Sequence, residues 1–345
     1  MGNGSEVGVR RVGFRLGTDR ELRAMHLVES EIESERDPTA THQPIELYMA
    51  FARSLPRQFG DNTWLAETNE GTPVGCAACW SDSAADPQVM ESYVYVRRPW
   101  RRQGIGWSLL RAVIDEARAE VRSSLIWSTD GSVPAGEAFS RRVGGRAARV
   151  NRTSELRFED VDWEVVRTWM EVGLGRARGY TLEFWEGPFS SELVEDAVNL
   201  HHIVQTAPRD DLEIGDVVLG AEHVAELDRN LVEAGRERWT VFVRDPDGAS
   251  VGGTEVTFER WAPAVAHQQN TAIDPSHRGL GLAKWAKAEM LSRIRHQRPA
   301  VDRIRTGNAF SNEPMLAIND ALGFTLVQVR TEWQGHIASM RSRMP

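Results

Sequence analysis

The feature that most constrains this chain is a repeat at fixed spacing. Arg101, Gly104 and Gly106 recur as Arg278, Gly281 and Ala283, each 177 residues further on. The same offset pairs Val96 with Ile273, Gly75 with Gly252 and Thr129 with Thr306. An offset that holds across a strand, a loop and a helix marks a duplicated unit. The 345 residues are enough for two domains, each with its own core. The pattern places them at 1–158 and 178–345, joined by a linker helix over 159–177.

Each copy centres on one local design. Tyr93, Val94, Tyr95 and Val96 alternate with the period of a strand, and Ile105, Leu109, Leu110, Val113 and Ile114 follow at helical spacing. Between them, Gly104 and Gly106 let backbone N–H groups approach a ligand that a Cβ would obstruct. A helix start carries unpaired N–H groups and partial positive charge, so it suits an anion. Arg101 and Arg102 add full charge. Arg278, Gly279, Leu280, Gly281, Leu282 and Ala283 form the matching loop after Ile273.

Taken in order, the chain predicts a strand over 9–16, then helices over 20–59, capped at Thr18 or Asp19 and with a break near Asp37-Pro38. A hairpin over 63–67 and 74–81 precedes the first loop. A strand at 125–129, a helix at 135–142 and an extended stretch at 146–158 close the first half. Asp160 to Gly175 is a helix with Trp163, Val166, Trp169 and Met170 as its apolar stripe. The second half repeats the plan: a strand at 180–185, helices at 191–205 and 221–235, and strands at 239–244 and 251–258. After its loop come a helix to about 295, a strand at 302–306, a helix at 312–321 and an extended tail.

Composition excludes several classes. A net charge of −9 argues against a nucleic-acid binder, which needs excess cations, and suits a cationic acceptor. No apolar run approaches the ~20 residues of a membrane span. The polar start from Met1 to Arg11 shows no secretory signal, so a cytoplasmic protein is expected. Cys76 and Cys79 are three apart on a predicted strand, so their side chains diverge and no shared metal or disulfide is expected. Only Lys284 and Lys287 are lysines, both just inside the second loop's helix. Glu29, Glu31, Glu33, Glu35 and Asp37 form a dense negative face, read either as solvated surface or as a wall attracting an ammonium group.

With the Arg-x-x-Gly-x-(Gly/Ala) loop between strand and helix, and this order of elements twice over, the chain resembles the GNAT acyltransferase superfamily. The arrangement is similar to that of tandem actinobacterial members. The resemblance implies an α/β fold of two GNAT-like domains, each a mixed, largely antiparallel sheet flanked by helices. It also implies acetyl-coenzyme A as co-substrate, with no metal. Its pyrophosphate would lie on Arg101, Arg102, Gln103, Gly104, Ile105 and Gly106 after Val96. The second site would use Arg278 to Ala283 after Ile273, with Asn308 and Asn312 from the element ending in Leu322-Gly323-Phe324. The implied reaction is transfer of an acyl group to the primary amine of a small polar molecule by direct attack in a ternary complex. A protein-amine acetyltransferase and a decayed coenzyme-binding module are the alternatives. Two fused copies supply internally the interface of a dimer, so a monomer is expected.

Amine attack calls for a general base. By the resemblance, Glu91 stands where the base often lies on the strand before the loop; it reads equally as a strand-edge carboxylate. Its counterpart, Gln268, cannot act as a base. The second half offers His267, within the polar run His267 to Asn270, and Glu255 on the neighbouring strand. That run in a buried strand predicts a wet cavity or ligand. The tyrosine acid usual in the family is replaced by Ser140 and Asn319. The second half, with its Asn-bearing final helix, is expected to be the better coenzyme site, and two active sites stay open.

Overall fold

The computed structural model describes residues 6–55, 62–81, 86–216 and 219–345. Two compact units emerge, and their composition differs from the sequence boundaries. Unit 1 holds residues 1–150, 211–216 and 330–345; unit 2 holds 151–210 and 217–329. Each takes its closing strand from the other half of the sequence, a long-range exchange that leaves the local pattern unchanged.

In unit 1, β1 (Val7–Arg11), β2 (Thr63–Thr68), β3 (Pro73–Trp80) and β4 (Val89–Val96) run antiparallel. β5 (Ser124–Asp130) lies parallel to β4, and residues 330–336 close the sheet antiparallel to β5. The first strand ends at Arg11, not near Leu16. Helices α1 (Asp19–Arg36) and α2 (Ile45–Ser54) cover one face, where Leu22, Met25, Tyr48, Leu65 and Cys76 pack. Thr18 caps α1 in a reciprocal capping box with Glu21. The expected helical run to Phe59 stops at Ser54, and residues 56–61 lie outside the described ones. Helix α3 (Ile105–Ala119) covers the other face with Trp64, Cys79, Leu109 and Leu125, and α4 (Pro134–Arg142) follows β5. Cys76 and Cys79 thus belong to opposite cores, and burial pushes both thiols well above their ordinary range.

Unit 2 has the same plan. β7 (Thr181–Glu186), β8 (Arg236–Arg244), β9 (Ser250–Glu259) and β10 (Val265–Ile273) are antiparallel neighbours. β11 (Arg303–Ala309) runs parallel to β10, and residues 151–157 of β6 (Arg146–Arg157) close the edge. Helices α6 (Val194–Val204) and α7 (Ala221–Glu233) pack with Phe242 on one face. Helices α5 (Trp163–Arg176) and α8 (Leu282–Gln297) pack on the other, and α9 (Glu313–Leu322) follows β11. The expected linker helix is therefore part of a core. A Cβ on Gly173 of α5 would stand 2.4 Å from Trp285 of α8, so the glycine lets the helices press together. The chain's last strand, β12 (Thr325–His336), leads into a short α10 (Ile337–Ser342), which the sequence pattern did not predict. Among the described residues no helix is long and apolar enough to cross a membrane, and no group of three or more His, Cys, Asp or Glu could hold a metal ion.

Candidate active site

Each unit opens its sheet at the same place. β4 pairs with β5 only over Val89 to Glu91, and β10 with β11 only over Val265 to Gln268. Beyond those points the parallel strands part. The Arg97 N–H donates to the Val74 carbonyl at 2.9 Å, toward β3. Strand alternation therefore turns the N–H groups of Ser92, Val94 and Val96 toward the gap. Asp274 donates to Val251 in the same way, which turns Thr271 and Ile273 into the second gap.

The loops after these strands match in backbone conformation. Arg102 and Gly279 have φ of 67° and 85°, and Gly104 and Gly281 have φ of 85° and 82°. Left-handed residues alternating with ordinary ones make a concave nest of N–H groups at the start of α3 and α8, suited to an anion. A Cβ on Gly104 or Gly281 would meet no protein atom within 4 Å. These glycines therefore face open space, as a cradle for a ligand requires. A Cβ on Gly106 would reach ordinary contact with Phe139 at 3.5 Å, which explains why Ala283 serves in the other copy.

The first arginine of each loop does something other than the sequence suggests. Arg101 donates its Nε to the Val96 carbonyl at 3.0 Å and its Nη1 to Glu35 at 2.8 Å. Arg278 donates its Nε to the Ile273 carbonyl at 2.9 Å and its Nη2 to Thr206 at 2.7 Å. Both staple the loop to the strand end; in Arg101 the pairing occupies Nε and both terminal nitrogens, while Arg278 keeps Nη1 at the second cavity. Arg102 keeps an exposed side chain at a left-handed position that costs a non-glycine residue ~1–2 kcal/mol. Its counterpart is glycine.

A cavity of about 490 Å³ in unit 1 joins the loop to the gap. Its wall includes Val96, Arg101, Arg102, Gly104 and Gly106, both sides of the gap (Ser92 to Val96 and Trp127 to Asp130), and residues of α4. It also reaches Ile32 and Arg36 of α1 beside Tyr93 and Tyr95. Gln103 and Ile105 are not in this wall: Gln103 donates to the Pro99 carbonyl, and Ile105 is buried in the core. In unit 2 a cavity of about 460 Å³ is lined by Ile273, Arg278, Gly279, Gly281, Leu282, Ala283 and Asn312, but by no residue of β11. Leu280 packs on the core, and Asn308 accepts a hydrogen bond from Asn319 at 2.8 Å. Leu110 lines the first cavity, and its counterpart 177 residues on is the fully buried Lys287. The cavity of unit 2 thus meets its loop but not the β11 side of its gap. Of the two cavities, that of unit 1 spans both strands of the gap, although the second half is the one expected to offer the better coenzyme site.

None of the three candidate bases lines either cavity. Glu91 is exposed on β4, opposite Trp80. His267 lies beside Glu259 at 3.8 Å, and burial lowers its pKa. Glu255 is buried in a charged network: Asn270 donates to it at 2.7 Å, and Arg238 stands 3.7 Å away while pairing with Asp228. The polar run expected to line a wet cavity is instead satisfied by the protein. β10 bulges between Gln268 and Thr271, and the Gln268 amide donates to Thr254 Oγ1 and the Glu255 carbonyl, while Gln269 donates to Thr257. Ser140 is also committed, accepting from Trp127 and donating to the Gly136 carbonyl.

Glu29 is not in the wall either, but it stands directly behind one of the wall's residues. The Tyr93 hydroxyl, on the cavity wall, donates to Glu29 at 2.6 Å. Although Glu29 as a residue keeps some exposure, desolvation of its carboxyl pushes the pKa up to about 7, against the lowering effect of the Tyr93 bond. Tyr93 stacks on Tyr95 with centroids 4.4 Å apart. Other members of the acidic face are paired: Glu31 with Arg97 and Glu35 with Arg101. A signal for this cluster existed in the sequence, since Glu29, Ile32 and Arg36 recur on one helix face.

Residues 25–144, within unit 1, match the family model described as "Acetyltransferase (GNAT) family". Similar solved structures include a tandem GNAT protein from the clavulanic acid biosynthesis pathway, without AcCoA. It is 22% identical over 96% of this chain and 99% of that one, with a TM-score of 0.74. A GCN5-related N-acetyltransferase from Sphaerobacter thermophilus is 12% identical over 96% of each chain, with a TM-score of 0.64. A putative acetyltransferase from Pyrococcus horikoshii is 12% identical over 97% of this chain and 91% of that one, with a TM-score of 0.54. None of the curated proteins matches the chain significantly. At these identities the structural likeness is one of fold. Residues 25–144 match that family model, and the chain has the fold of a tandem GNAT protein.

Proposed function

We propose that the protein is an acetyl-coenzyme A-dependent N-acetyltransferase for a small polar amine, and that unit 1 carries the reaction. The observation that supports this most is the single cavity joining the Gly104 nest, the parted strands and the Tyr93–Glu29 pair. The nest, Arg102 and the α3 N-terminus would hold the pyrophosphate. Acetyl-coenzyme A would supply the activated acyl group as a thioester.

The Val96 N–H, turned into the gap, would polarise the acyl carbonyl as the amine nitrogen bonds to it and the carbon–sulfur bond breaks. Tyr93 would accept a proton from the incoming ammonium group while passing its own to Glu29. A carboxyl near pH 7 is matched to that task at neutral pH. Since Ser140 is already committed, the departing thiolate would take its proton from water. Unit 2 would act as the structural partner.

Calorimetric titration with acetyl-coenzyme A, followed by thiol release across a panel of small amines, tests the reading. One equivalent bound and amine-dependent thiol release are expected. Binding without release over the whole panel would refute the enzymatic assignment, and no binding would refute the coenzyme site.

A further inference from the structure

The wall of the unit 1 cavity holds a cation that the proposed chemistry does not use. Arg36 ends α1 and lines the cavity beside Tyr95. Its guanidinium lies 4.8 Å from the Tyr95 ring centroid, and Nη1 donates to the Tyr95 hydroxyl at 3.2 Å. Its neighbours Arg97 and Arg101 are neutralised by Glu31 and Glu35. No carboxylate among the described residues lies within ion-pair distance of Arg36. Stacking and the tyrosine bond fix the plane of its fork and leave other donors available, the arrangement that suits a bidentate carboxylate.

Position along the helix adds the second half of the argument. Glu29, Ile32 and Arg36 share one face of α1, and seven residues separate the charged pair by ~10 Å. Tyr93 and Tyr95 lie stacked alongside, Tyr93 bonded to Glu29 and Tyr95 to Arg36. The wall therefore presents Arg36 at one end and, at the other, the Tyr93 hydroxyl backed by Glu29, with apolar Ile32 between them. Arg36 and Tyr95 lie on the α1 and α2 face, whereas the nest that would hold phosphate opens α3 on the opposite face.

Resting on the acetyltransferase reading above, we infer that the acceptor is an amino acid-like molecule whose amine meets Tyr93 and whose carboxylate is held by Arg36. The test compares amino acids with their decarboxylated amines, for example phenylalanine with phenethylamine and ornithine with putrescine. The amino acids are expected to have the higher kcat/KM. Arg36→Met should cut kcat/KM on amino acids by about tenfold to a hundredfold through KM, the size of a charge-assisted contact. Arg36→Lys should recover part of that loss, and acetyl-coenzyme A affinity should hold in both variants. Decarboxylated amines serving equally well in the unchanged protein would overturn the inference and leave the acetyltransferase reading intact. A fall in coenzyme affinity matching the loss in Arg36→Met would overturn it too, assigning Arg36 to a donor phosphate. If neither series is acetylated although the coenzyme binds, the acetyltransferase reading fails and takes this inference with it.

Discussion

Lys287 gives the most quantitative test of how the two units differ. It occupies the second turn of α8 at 2% exposure, with its Nζ 5.7 Å from the Phe324 ring centroid. No carboxylate among the described residues forms an ion pair with it. Burial alone lowers its pKa from 10.5 to about 7. Below about pH 7 both folded and unfolded chains carry the proton, and the folded state bears the full cost of a buried ammonium. Between about 7 and 10.5 the folded chain sheds a proton that the unfolded chain keeps, so stability rises with pH. At 1.36 kcal/mol per pH unit, the whole effect is about 5 kcal/mol, with ~4 kcal/mol still present at pH 7 and ~1 kcal/mol at pH 9.5. Lys287→Met keeps an unbranched chain of similar length and removes the charge. It should stabilise the protein by those amounts, raising the urea midpoint by roughly 1–2 M near pH 7 and by much less at pH 9.5. Tryptophan fluorescence during urea unfolding reads the midpoint. Because the chain has only two lysines, NMR of labelled lysine can follow the ionisation directly. A variant no more stable than the parent at pH 7, or a gap that fails to shrink as pH rises, would show that Lys287 has a partner and refute the reasoning.

Further predictions concern unit 1. Glu29→Gln should lower kcat by about a hundredfold and abolish the rise in rate through about pH 7 that Glu29 produces on losing its proton. Because the folded pKa of Glu29 lies above the ordinary value of 4.5, its contribution to stability declines as pH rises from there to about 7, and a melting series should lose that slope in the variant. Gly104→Val should remove coenzyme binding in calorimetry while Gly281→Val leaves the stoichiometry at one; the reverse pattern would move the working site to unit 2. Arg102→Gly should raise stability by about 1 kcal/mol by relieving a left-handed non-glycine residue, yet weaken coenzyme binding through loss of its charge. Equal affinity in this variant would show that the backbone nest alone holds the phosphate.

Local order and duplication could be read from the residues because they depend on short-range periodicity. The alternation at Tyr93 to Val96, the helical spacing from Ile105 to Ile114 and the 177-residue offset specify strand, loop and helix twice. The left-handed turns at Gly104 and Gly281 follow from the same local chemistry, since glycine adopts positive φ without strain. Tertiary structure decided the rest. The exchange of closing strands, residues 330–336 in unit 1 and 151–157 in unit 2, pairs segments far apart in sequence that are individually ordinary strands. The bulge at Gln268 turned an expected wet strand into a self-satisfied one, because Thr254 and Glu255 on β9 supply its hydrogen bonds. Glu29 meets Tyr93 across 64 residues of sequence, and burial in the folded unit is what raises its pKa. Glu91, nearer to the loop in sequence, faces solvent. A carboxylate's suitability as a base depends on its surroundings, and those are made by residues distant along the chain.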